Sequence, residues 1–155
     1  MIDSRGIEQE TTYPYSGRKQ RCDFGGSRYV QAKISNYEYV AEGDEEGLKA
    51  AVANNGPVAV GVNAEQQWQF YKSGIFNDPN CDPDGIDHAV LVVGYGTSDD
   101  GQDYWLIKNS WGDEWGENGY IRLARGVNMC GVANQASYPI VWVIRGVIKF
   151  SNYIK

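Results

Sequence analysis

The feature that most constrains the fold is a run of three short, strand-like segments in the second half of the chain. Residues 88–95 are almost wholly apolar, which predicts a buried strand, and residues 104–109 and 119–125 alternate between apolar and polar side chains. Polar, glycine-containing sequence at 97–103 separates the first two segments. Regularly spaced strands with glycine-rich joints indicate an antiparallel sheet that curls toward a barrel.

The rest of the pattern predicts few helices. Residues 44–55 are the clearest case, because Asp44 can cap the first turn, apolar side chains recur on one face, and Gly56-Pro57 ends the run. Shorter elements are also expected: extended segments within 28–40, a buried strand at 58–62, a brief amphipathic helix at 65–71, and the end of a helix at 1–6 closed by glycine.

Length and charge limit what the chain can do. Its 155 residues suit one domain, or one domain and part of another. The net charge of −6 argues against a nucleic-acid partner, since phosphate binding needs a clustered basic surface. No run approaches the roughly 18 apolar residues that span a bilayer, so we expect no membrane insertion. No signal peptide is visible, so either the protein is intracellular or its true start lies upstream.

The cysteine count favours an upstream start. Cys22, Cys81 and Cys130 leave one thiol unpaired if two are bridged, which in a secreted-looking domain points to a partner outside this sequence. None of the three lies in a C-x-x-C arrangement, so we expect no zinc site, and nothing else in the sequence calls for a metal or a cofactor.

The predicted hairpin brings two polar side chains together. Antiparallel strands keep a fixed register, and a loop centred between Ser98 and Asp99 places His88 directly opposite Asn109 on one face. Their Cβ atoms would then lie about 5 Å apart. A bulge in either strand would shift this register.

His88 is the only histidine, so any imidazole chemistry must use it. A neutral amide can accept one ring N–H, fix the tautomer, and leave the other nitrogen free to take a proton from a thiol or hydroxyl. Because an amide adds no negative charge, it does not repel a nearby thiolate, and this arrangement suits cysteine chemistry better than serine chemistry. The alternative is a histidine that starts a core strand and satisfies a backbone group.

Short motifs surround this pair along the chain. In order they are Tyr13-Pro14-Tyr15, Gly56-Pro57-Val58, Asp87-His88-Ala89-Val90, Val93-Gly94-Tyr95-Gly96, Tyr104-Trp105-Leu106, Lys108-Asn109-Ser110-Trp111-Gly112, Trp115-Gly116, Gly119-Tyr120 and Ala136-Ser137-Tyr138-Pro139. One fragment alone would be weak, but in this order they strongly resemble the C-terminal half of papain-like cysteine peptidases, most nearly the cathepsin L group. The resemblance covers residues from about 6 to 140.

That resemblance implies an α+β, papain-like fold of two domains, one mainly helical and one an antiparallel β-barrel, with the site between them. Residues 1–32 would be a remnant of the helical domain, and residues 33–140 most of the barrel domain. Without the rest of the helical domain, apolar surface and sheet edges should be exposed, which favours aggregation. The tail at 141–155 runs past the family's usual end, as read-through sequence or an added edge strand, and has no assigned function.

The resemblance also implies roles for single residues. His88 would be the general base and acid, Asn109 would orient it, and Trp111 would shield their hydrogen bond from water. Cys81 and Cys130 match the family's later disulfide, which is worth up to about 4 kcal/mol in the chain-entropy model.

Three further residues match the family's pocket for the substrate side chain two positions before the scissile bond. Ile86 and Ala89 would form apolar walls, which implies a preference for a hydrophobic side chain. Gln135 would make the pocket floor polar, although it could equally be a solvated loop residue.

The family's nucleophile is missing from the sequence. It sits in C-G-S-C-W, roughly 130–150 residues before the histidine and asparagine, whereas His88 has too little chain ahead of it for that motif to fit. The upstream glutamine of the oxyanion hole is missing for the same reason. Cys22 has basic neighbours, but it matches the family's structural cysteine after Tyr-Pro-Tyr and is expected to be half of an incomplete disulfide.

Two main functions are therefore considered. The first is an incomplete papain-like endopeptidase, which hydrolyses peptide bonds through a cysteinyl thioester when whole and is inactive as these 155 residues alone. Its partners would be a peptide or protein substrate, the missing N-terminal segment, and a propeptide or protein inhibitor, in a lysosomal or secreted setting. The second is a catalytically inactive homologue that binds peptides or a partner through half a cleft. A third, an aromatic-rich carbohydrate-binding module, does not explain why the predicted register places His88 opposite Asn109.

Overall fold

The structure, a computed structural model, describes residues 6–22 and 29–141. The predicted helix end at 1–6 and the tail at 141–155 therefore lie outside the described residues, apart from one residue each. The chain divides into two compact units, one of residues 1–37 with 139–155 and the other of residues 38–138. The second unit holds every residue to which the sequence assigns a part in catalysis or substrate binding.

The first unit contains a small two-stranded sheet. Strand β1, Ile7–Glu8, pairs antiparallel with strand β2, Val30–Ala32. Gly6 precedes β1 with φ of 144°, and a Cβ there would overlap the side chain of Val30. Glycine at this position therefore allows the two strands to approach each other.

A seven-stranded sheet forms most of the remaining structure. Its strands pair in the order β3-β9-β4-β6-β7-β8-β5. The pairs β4–β6, β4–β9, β6–β7 and β7–β8 are antiparallel, as the sequence predicts, whereas β5 pairs parallel to β8. The bounds are β3 Asn36–Tyr39, β4 Val58–Val62, β5 Ile75–Phe76, β6 His88–Thr97, β7 Asp103–Lys108, β8 Tyr120–Ala124 and β9 Gln135–Ile140.

The predicted long helix is confirmed as α1, Glu45–Asn55. The Asp44 carboxylate accepts the backbone N–H of Gly47 at 2.8 Å, which satisfies a donor of the first turn. Gly56, with φ of 96°, ends the helix. The buried face of α1 packs on β4 and β6, so the apolar side chains that recur along the helix sequence face the core.

The short helix is also confirmed, as α2, Gln66–Phe70, with Trp68 wholly buried. The core between the helices and the sheet is dominated by large apolar side chains, each contributing about 1.5–3 kcal/mol through burial. The largest are Trp68, Trp105, Leu48, Ile107, Ile121 and Leu123. Among the described residues, no helix combines the length and the apolar character needed to cross a membrane.

The β6–β7 hairpin does not have the predicted register. Thr97 pairs with Asp103, so the turn is centred on Asp100 rather than between Ser98 and Asp99. The predicted direct pairing of His88 with Asn109 is therefore wrong. His88 pairs instead with Val62 on the neighbouring strand β4.

A bulge at Val93 changes the register partway along this hairpin. Gly94 pairs with Leu106 on the turn side, and Val92 pairs with Ile107 beyond it, so one residue of β6 is left without a partner. Continued unbroken from the turn, the ladder would direct the side chains of His88 and Asn109 to opposite faces. The extra residue reverses the alternation and returns them to the same face.

Candidate active site

The His88 imidazole and the Asn109 carboxamide are hydrogen-bonded. Nε2 of His88 lies 2.8 Å from Oδ1 of Asn109, whose side chain is buried. The backbone N–H of Ser110 donates to the same Oδ1 at 2.8 Å, which identifies that atom as the oxygen. Nε2 must therefore carry the proton and donate it. Nδ1 is left as an acceptor that can take a proton from another group.

The backbone of Asn109 is fixed by the loop that follows it. Its N–H donates to the carbonyl of Gly119 at 2.9 Å, and the N–H of Gly119 donates to the carbonyl of Trp115 at 2.7 Å. Residues 110–119, which we call the indole loop, thus begin and end at the same point of the sheet. The position of Asn109 depends on how this loop is held.

The indole loop places Trp111 against the imidazole. The two rings have centroids 5.1 Å apart and planes 29° from parallel, and Trp111 is 38% exposed. Trp115 meets Trp111 edge-on at 5.1 Å and donates its indole N–H to the carbonyl of Trp68 at 2.9 Å. One tryptophan therefore covers a face of His88, and a buried tryptophan supports it from below.

The segment that leads into His88 is held by β4 and by a disulfide. The N–H of Asp87 donates to Val62 at 3.1 Å, and its carboxylate accepts the N–H of Ala64 at 2.9 Å. The predicted disulfide between Cys81 and Cys130 is confirmed, with the Cα atoms 5.1 Å apart. His88 therefore starts its strand from a firmly anchored loop.

A groove of about 690 Å³ extends from His88 along the outer face of the sheet. Its lining includes the three residues for which the sequence predicts a substrate pocket, Ile86, Ala89 and Gln135. Gly61 lies between Ala89 and Gln135 in the strand pairing, and a Cβ there would come within 2.7 Å of the Ile86 side chain. The glycine therefore keeps the groove open.

Sequence reasoning overlooked Gly61, although a signal was present. It interrupts the apolar strand Val58–Val62, and a glycine inside a strand often marks the close approach of another group.

Sequence reasoning also overlooked a charged cluster on the indole loop. Glu117 accepts the N–H of Gly74 at 2.9 Å and is paired with the Arg122 guanidinium, Nη2 to Oε1 at 2.7 Å and Nε to Oε2 at 2.9 Å. These Arg122 hydrogen bonds are the main reason that the pKa of Glu117 is lowered. Burial raises the pKa of the neighbouring Tyr71 hydroxyl, which donates to Gly74. The partners are spread along the chain, so no local motif reveals them.

The remaining candidate groups do not extend this site. Cys22 is exposed and unbridged, and it belongs to the first unit. Within residues 6–22 and 29–141, no group of three or more His, Cys, Asp or Glu side chains could hold a metal ion.

The chain is similar to known proteins in both sequence and structure. The family model described as papain family cysteine protease matches residues 1–140. A cathepsin L of Sarcophaga peregrina is 48% identical over 141 residues, which are 90% of this chain and 41% of that protein. The chain thus spans about two fifths of the length of this curated relative.

Solved structures give the same result. Digestive procathepsin L 3 from the larval midgut of Tenebrio molitor matches with a TM-score of 0.84 and 46% identity, over 88% of this chain and 44% of that one. The bromelain protease of Ananas comosus, in complex with the E64 inhibitor, matches with a TM-score of 0.83 and 39% identity, over 91% of this chain and 66% of that one. These matches confirm the fold class that the sequence predicts.

Proposed function

The chain belongs to the papain family of cysteine proteases, and from that premise we propose that it supplies the histidine and asparagine of an endopeptidase site. One observation carries the proposal. The Asn109 oxygen accepts both the Ser110 N–H and the His88 Nε2–H, which leaves Nδ1 of the only imidazole free to accept a proton. The thiol comes from polypeptide outside these 155 residues, since the sequence contains no C-G-S-C-W motif.

In the first half of the reaction, Nδ1 of His88 takes the proton of that thiol. The thiolate sulfur adds to the carbonyl carbon of the substrate peptide bond, and the C–N bond then breaks. The imidazolium returns its proton to the departing amine, and the acyl group stays on sulfur as a thioester. The Asn109 amide is neutral, so it orients the ring without repelling the thiolate.

In the second half, Nδ1 of His88 takes a proton from water while the water oxygen attacks the thioester carbon. The C–S bond breaks, the carboxylic acid is released, and the sulfur recovers a proton from the imidazolium. Trp111 supports both halves because it covers one face of His88 and keeps water from the Nε2–H bond to Asn109.

The groove beside His88 takes the substrate side chain two positions before the scissile bond. Ile86 and Ala89 present apolar surface, and Gln135 adds a polar group at the far strand. A hydrophobic side chain is therefore preferred.

Partners and setting follow from the same reasoning. One solved relative is a procathepsin and another holds an inhibitor, so we expect a propeptide or a protein inhibitor to cover this site. Disulfides such as Cys81–Cys130 form in oxidising compartments, which favours a lysosomal or secreted protein.

The test begins with the coding sequence upstream of Met1. An in-frame Q-x-x-x-x-x-C-G-x-C-W segment is expected, and the extended protein should cleave a fluorogenic peptide with a hydrophobic residue two positions before the cleaved bond. His88→Ala should lower kcat/KM by at least about 100-fold, Asn109→Ala by less, and the exposed Asn54→Ala not at all.

The 155 residues alone should not cleave that peptide. Thiol-dependent cleavage by them that is abolished by Cys22→Ser would overturn the proposal. So would an upstream sequence that lacks the cysteine motif.

A further inference from the structure

Among the described residues, one ion pair, Glu117 with Arg122, ties the indole loop to a neighbouring strand. Glu117 reaches from the loop to two separate elements, the Gly74 N–H before β5 and the Arg122 guanidinium on β8. The Glu117 and Arg122 side chains are 26% and 30% exposed, so solvent weakens the pair only in part. Both carboxylate oxygens accept from the Arg122 guanidinium, and such charge-assisted, bidentate hydrogen bonds are stronger than neutral ones.

The same cluster continues toward the tryptophans. The Tyr71 hydroxyl accepts the backbone N–H of Arg122 at 3.2 Å, and its ring lies 5.6 Å from that of Trp115. A Cβ on Gly116 would come within 3.0 Å of the Tyr71 ring, so the loop is pressed directly against this tyrosine. Between Trp115 and Glu117 the loop is therefore fixed on both sides of Gly116.

Glu117 and Asn109 are connected through a short stretch of backbone. Glu117 exchanges backbone hydrogen bonds with Tyr120. Gly119, the last residue of the loop, lies between these two, and its carbonyl accepts the N–H of Asn109. A shift of Glu117 would move Gly119 and Trp115 together. The Asn109 carboxamide and the Trp111 ring would then lose their alignment with His88.

We propose that Glu117 is a positioning residue for the His88–Asn109 pair, acting by clamping the indole loop to Gly74 and Arg122. It touches neither substrate nor imidazole. Its role is to keep Trp111 stacked on His88 and to keep the Asn109 oxygen within hydrogen-bonding distance of Nε2. This inference rests on the proposed function, in which that hydrogen bond orients the general base.

The experiment is NMR of the intact chain labelled with ¹⁵N-histidine, where the only histidine gives one imidazole signal set. The variant is Glu117→Gln, which keeps an acceptor for Gly74 but loses the charge and presents an NH₂ group to Arg122. The matched control is Glu114→Gln, the same change at an exposed position of the same loop. A second control, Ala51→Gly in α1, lowers global stability without altering the loop.

In Glu117→Gln, solvent exchange of the His88 Nε2 proton should be faster by about 30-fold, the factor expected when one charged hydrogen bond no longer holds the loop closed. The ring should also show a mixture of tautomers. Glu114→Gln and Ala51→Gly should match the unmodified chain in both respects at temperatures where each is folded.

Two results would overturn the proposal. One is an unchanged His88 signal in Glu117→Gln, and the other is an equal change in Ala51→Gly, since that would make the effect one of general stability. The proposed peptidase function fails separately, if the unmodified chain does not hold His88 as the Nε2–H tautomer. The two failures are therefore distinguishable in one set of spectra.

Discussion

The two segments that flank the imidazole–amide pair are held in different ways. The segment before His88, residues 81–87, is tied by a disulfide, by one backbone hydrogen bond from Asp87 to Val62, and by side chain–backbone hydrogen bonds to residues 63–65. The indole loop after Asn109 has no disulfide, and three of its side chains reach the neighbouring elements: Trp111, Trp115 and Glu117. One segment is secured by a covalent bond and several hydrogen bonds, and the other by a few side-chain contacts.

The difference shows where this site is vulnerable to substitution. A segment anchored by a covalent bond and several hydrogen bonds can lose one contact and keep its place. A loop that depends on a few side chains moves when any one of them is removed. The orientation of Asn109, and with it the tautomer of His88, should therefore be more sensitive to changes in the indole loop than to changes before His88.

The largest effect is expected for Trp115→Ala. Trp115 is 8% exposed and packs against Trp68, Tyr71 and Trp111. Removing the ring leaves a cavity, so the free energy of unfolding should fall by about 3–5 kcal/mol. Urea denaturation followed by circular dichroism measures it. The half-exposed Trp111→Ala should cost clearly less, and an equal cost would contradict the support assigned to Trp115.

Removing the disulfide comes second. Because the cysteines are separated by 49 positions in the sequence, Cys81→Ala with Cys130→Ala should lower the free energy of unfolding by about 2–4 kcal/mol. The His88 NMR signals should nevertheless change little in the folded chain, because hydrogen bonds to residues 62–65 still hold residues 81–87. Cys22→Ser, at an exposed thiol, is the control and should be neutral. Loss of the native His88 signals in the double variant would show that the disulfide alone holds the segment.

Glu117→Gln should follow, with an effect that depends on pH. At pH 7 we expect a loss of about 2 kcal/mol in the free energy of unfolding, the value typical of hydrogen bonds to a charged group. The pKa of Glu117 is lowered in the folded chain from an ordinary value of 4.5.

The unfolded chain therefore binds the proton first, and the stabilisation is complete above that ordinary value and disappears as the pH falls through the lowered pKa. The difference between the two proteins should be constant from pH 7 to 5 and should narrow below pH 4.5. Urea titrations at a series of pH values measure it, and a difference that widens in acid would contradict the assignment.

The smallest effect should come from Asn134→Ala. Asn134 donates its side-chain amide to the carbonyl of Pro83 at 2.9 Å, which is one of several contacts of residues 81–87. Its loss should cost about 1 kcal/mol. The His88 spectrum should stay as it is. A change at His88 as large as that in Glu117→Gln would erase the contrast between the two segments.

Much of the fold could be predicted from local pattern. The helix at 44–55 and the strand at 58–62 carried their own signals, a capping aspartate, a one-sided apolar face and a Gly-Pro stop. The two-residue strand β5 could not be predicted, because Ile75–Phe76 is too short for any periodicity. Its parallel pairing with β8 depends on packing between distant segments.

The candidate site was only partly predictable. His88 is the one imidazole of the chain, and the motifs around it and Asn109 mark the pair, so the two partners could be identified, although not the register that brings them together. The partners of Glu117 could not, because Gly74 and Arg122 come from other elements and an acidic loop residue is usually solvated. Gly61 interrupts the apolar strand β4, but the strand prediction alone does not show that this glycine leaves room for the groove.

The sequence by itself determined which residues could do chemistry here, because only one histidine exists and its amide partner lies across a recognisable hairpin. The tertiary structure alone decided that they share a face. The turn is centred one to two residues away from where the pattern placed it, and the bulge at Val93 compensates for the resulting change of face. Val93 lies in an unbroken apolar run, Val90-Leu91-Val92-Val93, so nothing in its composition marks it as the residue without a partner. Because successive side chains of a strand point to opposite faces of the sheet, such a one-residue shift decides which face each side chain occupies.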